Sequence, residues 1–358
     1  DTWNEDFTEL DDEFDLTGDS ENTEKYEHFK FIADKGQGFL RIDKFLVLRI
    51  EGISRNRIQQ AADADCILVN GNPVKANYRV KPLDVISIVM DRPRREIEII
   101  PQDIPLDVVY EDNAVIVINK PAGLVVHPGH GNYSGTLLNA LAYYFKDDKS
   151  FDITDARLGL VHRIDKDTSG LLVIAKTAEA KAHLSMQFFN KTTHRKYVAV
   201  VWGNMEQDEG TVSGYIGRNP KDRLQMTVLP GEENGKWAVT HYRTTERLGY
   251  VSVIECQLET GRTHQIRVHM KSIGHTLFND SRYGGNEILK GTTFTKYKQF
   301  VQNCFTTCPR QALHARTLGF VHPETGKKMF FDSEVPEDMV QLIEKWRGYM
   351  SNRNINND

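Results

Sequence analysis

Where an apolar, strand-like run ends at His162-Arg163-Ile164-Asp165, a carboxylate is left standing on a polar turn. The turn, Lys166 to Ser169, leads through Gly170 into a second apolar run, all within LGLVHRIDKDTSGLLVIAKT at 158–177. An Asp on a loop between two rigid strands has the placement of a base or a nucleophile. A lone Asp in a turn is more often only a turn former or cap. The second stretch is LETGRTHQIRVHMKSIGHTLFNDSRYGG at 258–285. After the Thr260-Gly261 turn, His264, Arg267 and Lys271 recur at i, i+3 and i+7 of an expected helix over 264–273. They flank an apolar face of Ile266, Met270 and Ile273, with Gly274 as the C′ residue. Such a basic stripe can meet phosphate, pair with a buried carboxylate, or lie solvated. His264 and His269 are five apart, share no helical face, and make a poor metal pair. Three shorter blocks are NKPAGLVVHP at 119–128, KYVAVVWG at 196–203, opened by Lys196 and Tyr197, and RQALHA at 310–315.

The elements that must hold these blocks are legible as periodicities. VVYEDNAVIVINKPAG predicts two strands around an Asp112-Asn113 turn, and Leu137, Leu138, Leu141, Ala142 and Phe145 line one face of a helix. GLLVIAKT and KYVAVVWG read as buried strands. YRTTERLGYVSVIECQLET reads as a hairpin turned at Leu248-Gly249. A last helix starts near Pro336, buries Met339, Leu342, Ile343 and Trp346, and is expected to stop at Gly348. Hairpins with interspersed helices imply an α+β fold with a mixed sheet. Upstream, Ile42, Phe45 and Leu46 have helical spacing, and Ser54 can cap a second helix through Ile58, Ala61 and Ala62. ILVNGNPV is a hairpin turned at Asn70-Gly71, and LDVISIVM a further strand. Arg41, Lys44, Arg49, Arg55 and Arg57 decorate the helices. Residues 92–105, RPRREIEIIPQDIP, read as a linker and then a strand.

A chain of 358 residues suits two domains, and 39% hydrophobic with 27% charged residues is an ordinary soluble profile. Neither an apolar run near the ~20 residues of a membrane span nor a signal peptide is visible. Four cysteines suggest a reducing, cytoplasmic setting. Cys66 and Cys256 sit in apolar runs. Cys304 and Cys308 lack the second pair of a zinc site. With no P-loop and no G-x-G-x-x-G, neither metal nor cofactor is expected. The net charge of −5 is unevenly spread. Residues 1–35 hold 13 acidic and 3 basic side chains, leaving 42 Lys and Arg against 37 Asp and Glu in the rest. An acidic, disordered tail over 1–35 therefore precedes a mildly basic body.

In this order the five blocks resemble the RluA-type family of pseudouridine synthases, most closely its RluD branch. The pattern H-R-[L/I]-D-x-x-T-S-G is met by His162, Arg163, Ile164, Asp165, Thr168, Ser169 and Gly170, and G-R-T-H-Q-I-R-V-H by residues 261–269 without a gap. RIDKFL, Ser54-Arg55, the VNG at 69–71 and Lys75 resemble the S4 RNA-binding domain, which that branch also carries. One departure is GHTLFND at 274–280, where the family often reads G-H-P-[I/L]-x-G-D, so the loop after the helix is expected to be shaped differently.

The resemblance implies a small S4 domain over 36–97 and a mixed, mainly antiparallel catalytic domain with flanking helices over 98–350. It implies isomerisation of uridine to pseudouridine without cofactor or metal. The RNA partner is most plainly bacterial 23S ribosomal RNA or a precursor of the large ribosomal subunit, with a monomeric enzyme and no membrane. Asp165 takes the place of the catalytic carboxylate, attacking C1′ or removing a sugar proton. Arg267 takes that of its partner cation, and Tyr197 that of a tyrosine stacking on the flipped ring. Arg163 matches a position that assists flipping. His162, Thr168, Arg262 and His264 fall in the substrate-binding blocks, and Arg41, Lys44 and Arg55 on the S4 surface. His162 reads as a structural hydrogen-bonding group rather than a base. Two other readings are a non-catalytic RNA-binding ribosome assembly factor, whose mark would be loss of Asp165, Tyr197 or Arg267, and a metal-dependent deaminase. The H-x-E and P-C-x-x-C signature of the deaminase is missing.

Overall fold

The computed structural model describes residues 26–50, 53, 55–90, 99–127, 134–148, 151, 159–222, 225–231 and 235–355. Residues 1–25, Ser54 and residues 92–98 of the expected linker lie outside these. The chain divides into two compact units, with the change at Glu98/Ile99.

In the first unit, β1 (Tyr26–Ile32) precedes α1 (Ile42–Val47) and α2 (Arg55–Asp63). These are followed by β2 (Ile67–Val69), β3 (Asn72–Pro73) and β4 (Val85–Met90). The sheet order is β1-β4-β2-β3, all antiparallel. Ile42, Phe45 and Leu46 of α1 meet Ile58, Ala61 and Ala62 of α2 over Ile67, Val69, Ile86 and Ile88. Asn70 and Gly71 both take positive φ, 51° and 82°, as a tight two-residue hairpin turn requires. β1 corrects the expectation that everything before 36 is tail. Its Phe29 and Phe31 pack on the same core, a signal masked by the acids around it.

The second unit opens with β5 (Val108–Glu111), β6 (Val115–Lys120), α3 (Leu137–Tyr144), β7 (Ser169–Ala175), α4 (Ala178–Phe189) and β8 (His194–Trp202). It continues through β9 (Glu209–Arg218), β10 (Met226–Leu229), β11 (Lys236–Arg247), β12 (Val251–Leu258) and α5 (Gln265–Ser272). It ends with α6 (Thr295–Thr307), β13 (Leu313–Val321), β14 (Lys328–Asp332) and α7 (Glu337–Ile355). One sheet runs β10-β9-β11-β12-β8-β13-β7-β6-β5, with β14 beside β13. Only β13–β7 is parallel; the other pairs are antiparallel. β7 is buried along its whole length. Trp202, Phe278, Cys304 and Trp346 form one core under α6 and α7, and Val117, Val173, Leu184 and Phe320 another. Of the stretch 92–105 expected to hold a linker and then a strand, 92–98 lie outside the described residues and 99–105 form no strand.

Two local departures have physical causes. α7 runs past Gly348, because a helical glycine costs only about 1 kcal/mol and the next residues pack well. Tyr349 stacks on Phe300 at 4.6 Å between ring centroids. In the 274–280 loop, Asn279 stands where the family often has glycine and holds a left-handed φ of 59°. Asn tolerates that region better than most residues. Its side chain also donates to the carbonyls of Cys308 and Phe305.

Gly170, the first residue after the turn at Asp165, is strained for any other side chain. Its φ is 127°, and a Cβ would collide with the Ala315 carbonyl and Cβ. Gly170→Ala is expected to cost about 3 kcal/mol or more. Thermal unfolding would report this as a Tm loss of several degrees, and an unchanged Tm would contradict the packing described.

Candidate active site

The loop before β7 is fixed from several sides. Leu160 bridges Ile174. His162 Nε2 accepts the amide of Val173 at 3.0 Å while its ring stacks on Phe188 at 4.4 Å. Burial, and then the Arg195 charge, pull its pKa down to about 3, so it is a neutral acceptor. That places His162 behind the loop, where it braces β7. Thr168 is likewise turned into the fold. It is 1% exposed, its amide closes the turn onto the Asp165 carbonyl, and its hydroxyl meets Gln311.

Asp165 itself faces α5. Arg267 Nη1 donates to Asp165 Oδ2 at 2.8 Å. The same guanidinium grips Asp280 in a fork, Nε to Oδ2 at 2.7 Å and Nη2 to Oδ1 at 2.9 Å. Arg267 is therefore aimed by one buried carboxylate at another that is 24% exposed. Of the readings open for the basic stripe, pairing with a carboxylate is the one Arg267 takes. His264 precedes the helix in a left-handed conformation, with Nε2 3.9 Å from Asp165 Oδ1 and Nδ1 2.7 Å from the Tyr283 hydroxyl. Lys271 lies 5.5 Å from the Tyr283 ring. Ile273, expected inward, is the C-cap and is 38% exposed.

The electrostatics are opposed. Burial pushes the Asp165 carboxyl up, but His264, Arg267 and Arg163 outweigh it and hold the pKa at about 2. Burial also lowers His264 to about 4, so at neutral pH its ring is uncharged and Arg267 carries the stabilisation. Tyr197, on β8 opposite Ala315 and Cys256, is 8% exposed. Burial raises its pKa, Arg195 opposes and Asp165 adds, so it remains a neutral phenol. Arg163 is exposed, two residues from the carboxylate.

Arg262 donates from Nε to the Trp237 carbonyl at 3.1 Å. Arg41, Lys44 and Arg55 belong to the first unit and are described there by themselves. Arg41 and Arg55 both bind Asp43, and Lys44 is exposed.

Three residues were missed in the sequence. Asp280 was noted only as part of a variant loop. Arg310 donates to the Asp167 carbonyl and the Ser169 hydroxyl and is paired with Asp338. Lys120 is 1% exposed and donates to the carbonyls of Pro121, Leu124 and Lys166, the last of them next to Asp165. Its position in NKPAG was the available signal. Burial lowers the Lys120 pKa to about 7, with Asp165 and Asp167 pulling it back. The unfolded chain therefore holds this proton more tightly than the folded one. The parent's stability margin over Lys120→Met should be smallest below pH 7 and grow toward pH 10.5. Denaturant unfolding of both proteins at about pH 6 and 9 checks the sign; a shrinking margin would show that the three carbonyls outweigh burial.

The RNA pseudouridylate synthase profile matches residues 114–272, and the S4 domain profile residues 40–86. An uncharacterized RNA pseudouridine synthase of Chlorobaculum parvum is 44% identical over 321 residues, 89% of this chain and 98% of its own. The ribosomal large subunit pseudouridine synthase D of Zymomonas mobilis is 43% identical, over 88% of this chain and 95% of its own. The solved structure of human RNA pseudouridylate synthase domain containing 4 shares the fold, with a TM-score of 0.51 and 21% identity over 67% of this chain and 93% of that one.

Proposed function

Because this chain belongs to the RNA pseudouridylate synthase family, we propose that it isomerises uridines of large-subunit ribosomal RNA and that Asp165 carries the reaction. The observation that carries this reading is the Arg267 bridge. A cation locked by buried Asp280 holds a partly exposed carboxylate ionised on the lip of the sheet. Breaking the C1′–N1 bond by attack at C1′ and breaking it by removal of a sugar proton both need that ionised form. The released uracil turns and rejoins through C5, and the C5 proton is lost to a base. Tyr197, a neutral phenol beside Asp165, is suited to stack on the turning ring and to relay that proton. The target base leaves its stack to reach the carboxylate, and exposed Arg163 is placed to fill the gap it vacates. The first unit would add affinity through phosphate contacts from Arg41, Lys44 and Arg55. Relatives named for the large ribosomal subunit support the choice of RNA.

The test is to incubate unmodified bacterial large-subunit RNA, and separately assembling large-subunit particles, with the protein. Pseudouridines are then mapped by carbodiimide labelling and primer-extension stops. New stops at discrete uridines are expected. Tight binding to both substrates with no stops would overturn the reading in favour of a binding factor.

A further inference from the structure

The first unit contains a buried carboxylate whose partners are unusual. Asp43, on α1, is fully buried, and two arginines converge on it. Arg41 donates through Nε to Oδ1 at 3.2 Å and through Nη2 to Oδ2 at 2.9 Å. Arg55, from α2, donates from Nε to the same Oδ2 at 3.0 Å, with its Nη2 also 3.0 Å from that oxygen as an ion pair. The Lys44 amide completes the set at 2.8 Å, and the Asp43 amide is tied to the Ala76 carbonyl. Asp84, the other buried carboxylate among the described residues of this unit, binds the neutral Asn70 side chain, the Tyr78 hydroxyl and the Lys81 amide. Asp43 alone of the two gathers charge.

Two guanidiniums sharing one oxygen lie within two hydrogen-bond lengths of each other. Unscreened, they would repel and swing apart, being long exposed side chains with large rotamer entropy. The carboxylate removes that freedom and leaves the cluster one positive charge in excess. The side chains of Arg41 and Arg55 remain 40% and 51% exposed, while that of Asp43 is not exposed at all. Each guanidinium has five N–H donors. Arg41 spends two on Asp43 and Arg55 one, and the rest have no hydrogen-bond partner among the described residues. An anion arriving from solvent meets the donors and never the carboxylate.

We propose that Asp43 is a positioning residue for RNA, presenting Arg41 and Arg55 as a paired guanidinium site for one backbone phosphate. The proposal rests on the reading that this unit contacts RNA. Its consequence runs against simple charge counting. Removing an acidic group from an RNA-binding surface should tighten binding by Coulomb attraction. Here the loss of Asp43 weakens it.

The experiment measures binding of the full chain to a large-subunit ribosomal RNA stem-loop transcript by fluorescence anisotropy at about 0.1 M salt. Asp43→Asn is expected to weaken binding about fivefold to tenfold, equivalent to roughly 1–1.4 kcal/mol, and to lower the salt slope. In an Arg41→Gln, Arg55→Gln background the same change is expected to do nothing or to tighten binding. A merely structural role would weaken both backgrounds equally. Arg41→Lys with Arg55→Lys keeps the charge, loses the fork, and is expected to weaken binding as Asp43→Asn does, a check that stands if Asp43→Asn unfolds. The proposal is overturned if Asp43→Asn tightens binding or leaves it unchanged, if the background makes no difference, or if the Lys pair binds like the parent. If the Gln pair itself binds like the parent, the RNA-contact reading falls along with it. If the Gln pair binds weakly while Asp43→Asn does not, only the positioning role falls.

Discussion

Asp165→Asn is expected to leave a folded protein that no longer makes pseudouridine. The rate should fall on the order of 10⁴-fold, about 5.4 kcal/mol of barrier. Asn is close in size but cannot act as a nucleophile or accept a proton as a carboxylate does. The fold should survive because Arg267 keeps its forked pair with Asp280, so no buried cation is orphaned. Single-turnover assays with radiolabelled RNA give the rate, and a melting curve gives the stability. A variant that retained more than a tenth of the parent rate would remove Asp165 from the reaction. Linkage adds a second signature in the parent. The folded carboxyl sits at about 2 against an ordinary 3.8. Its contribution to stability is therefore complete above 3.8 and is lost as pH falls toward 2.

Arg267→Met should be damaging in both respects at once. It strands Asp280, which is fully buried, and withdraws the cation from Asp165. Breaking a buried pair from one side costs about 3–5 kcal/mol, or roughly 10 °C in Tm for a domain of this size. Activity should collapse as well, with a telltale shift. Without Arg267, much of what opposes burial at Asp165 is gone, and its pKa rises above the parent's. The acid limb of kcat/KM must then move to higher pH. Arg267→Lys should recover part of the charge effect but not the fork. An acid limb that stayed in place in Arg267→Met would show that Asp165 does not depend on this cation.

The lines of this site were partly visible in the sequence. Asp165 stood out because two apolar runs bracket it, and Arg267 because helical spacing put it on a stripe. What spacing could not give was the partner. Asp280 lies 13 residues from Arg267 around a turn whose shape depends on Asn279. Lys120 is invisible to periodicity for a different reason. It ends an apolar strand, where a lysine normally marks the way out to water, yet here it turns inward onto three carbonyls. His162 and Thr168 sit in the same block but turn into the fold, because motif membership does not specify the side of the loop. The strand Tyr26–Ile32 was lost in a charge count that averaged over residues facing opposite sides. Gly348 misled because propensity is weak against aromatic packing.

The place of β13 between β7 and β8 sets a timetable for the enzyme. Among the described residues, strand pairing joins the half-sheet carrying the Asp165 loop to the half-sheet carrying Tyr197 only through residues 313–321. Ala315 pairs with Gly170 on one side and Tyr197 on the other. A ribosome translating this message releases the two halves of the site long before it releases the strand that unites them. Closing so distant a contact is slow and comes late. The nascent chain therefore holds its carboxylate and its tyrosine on half-sheets that strand pairing does not unite until residues 313–321 have emerged.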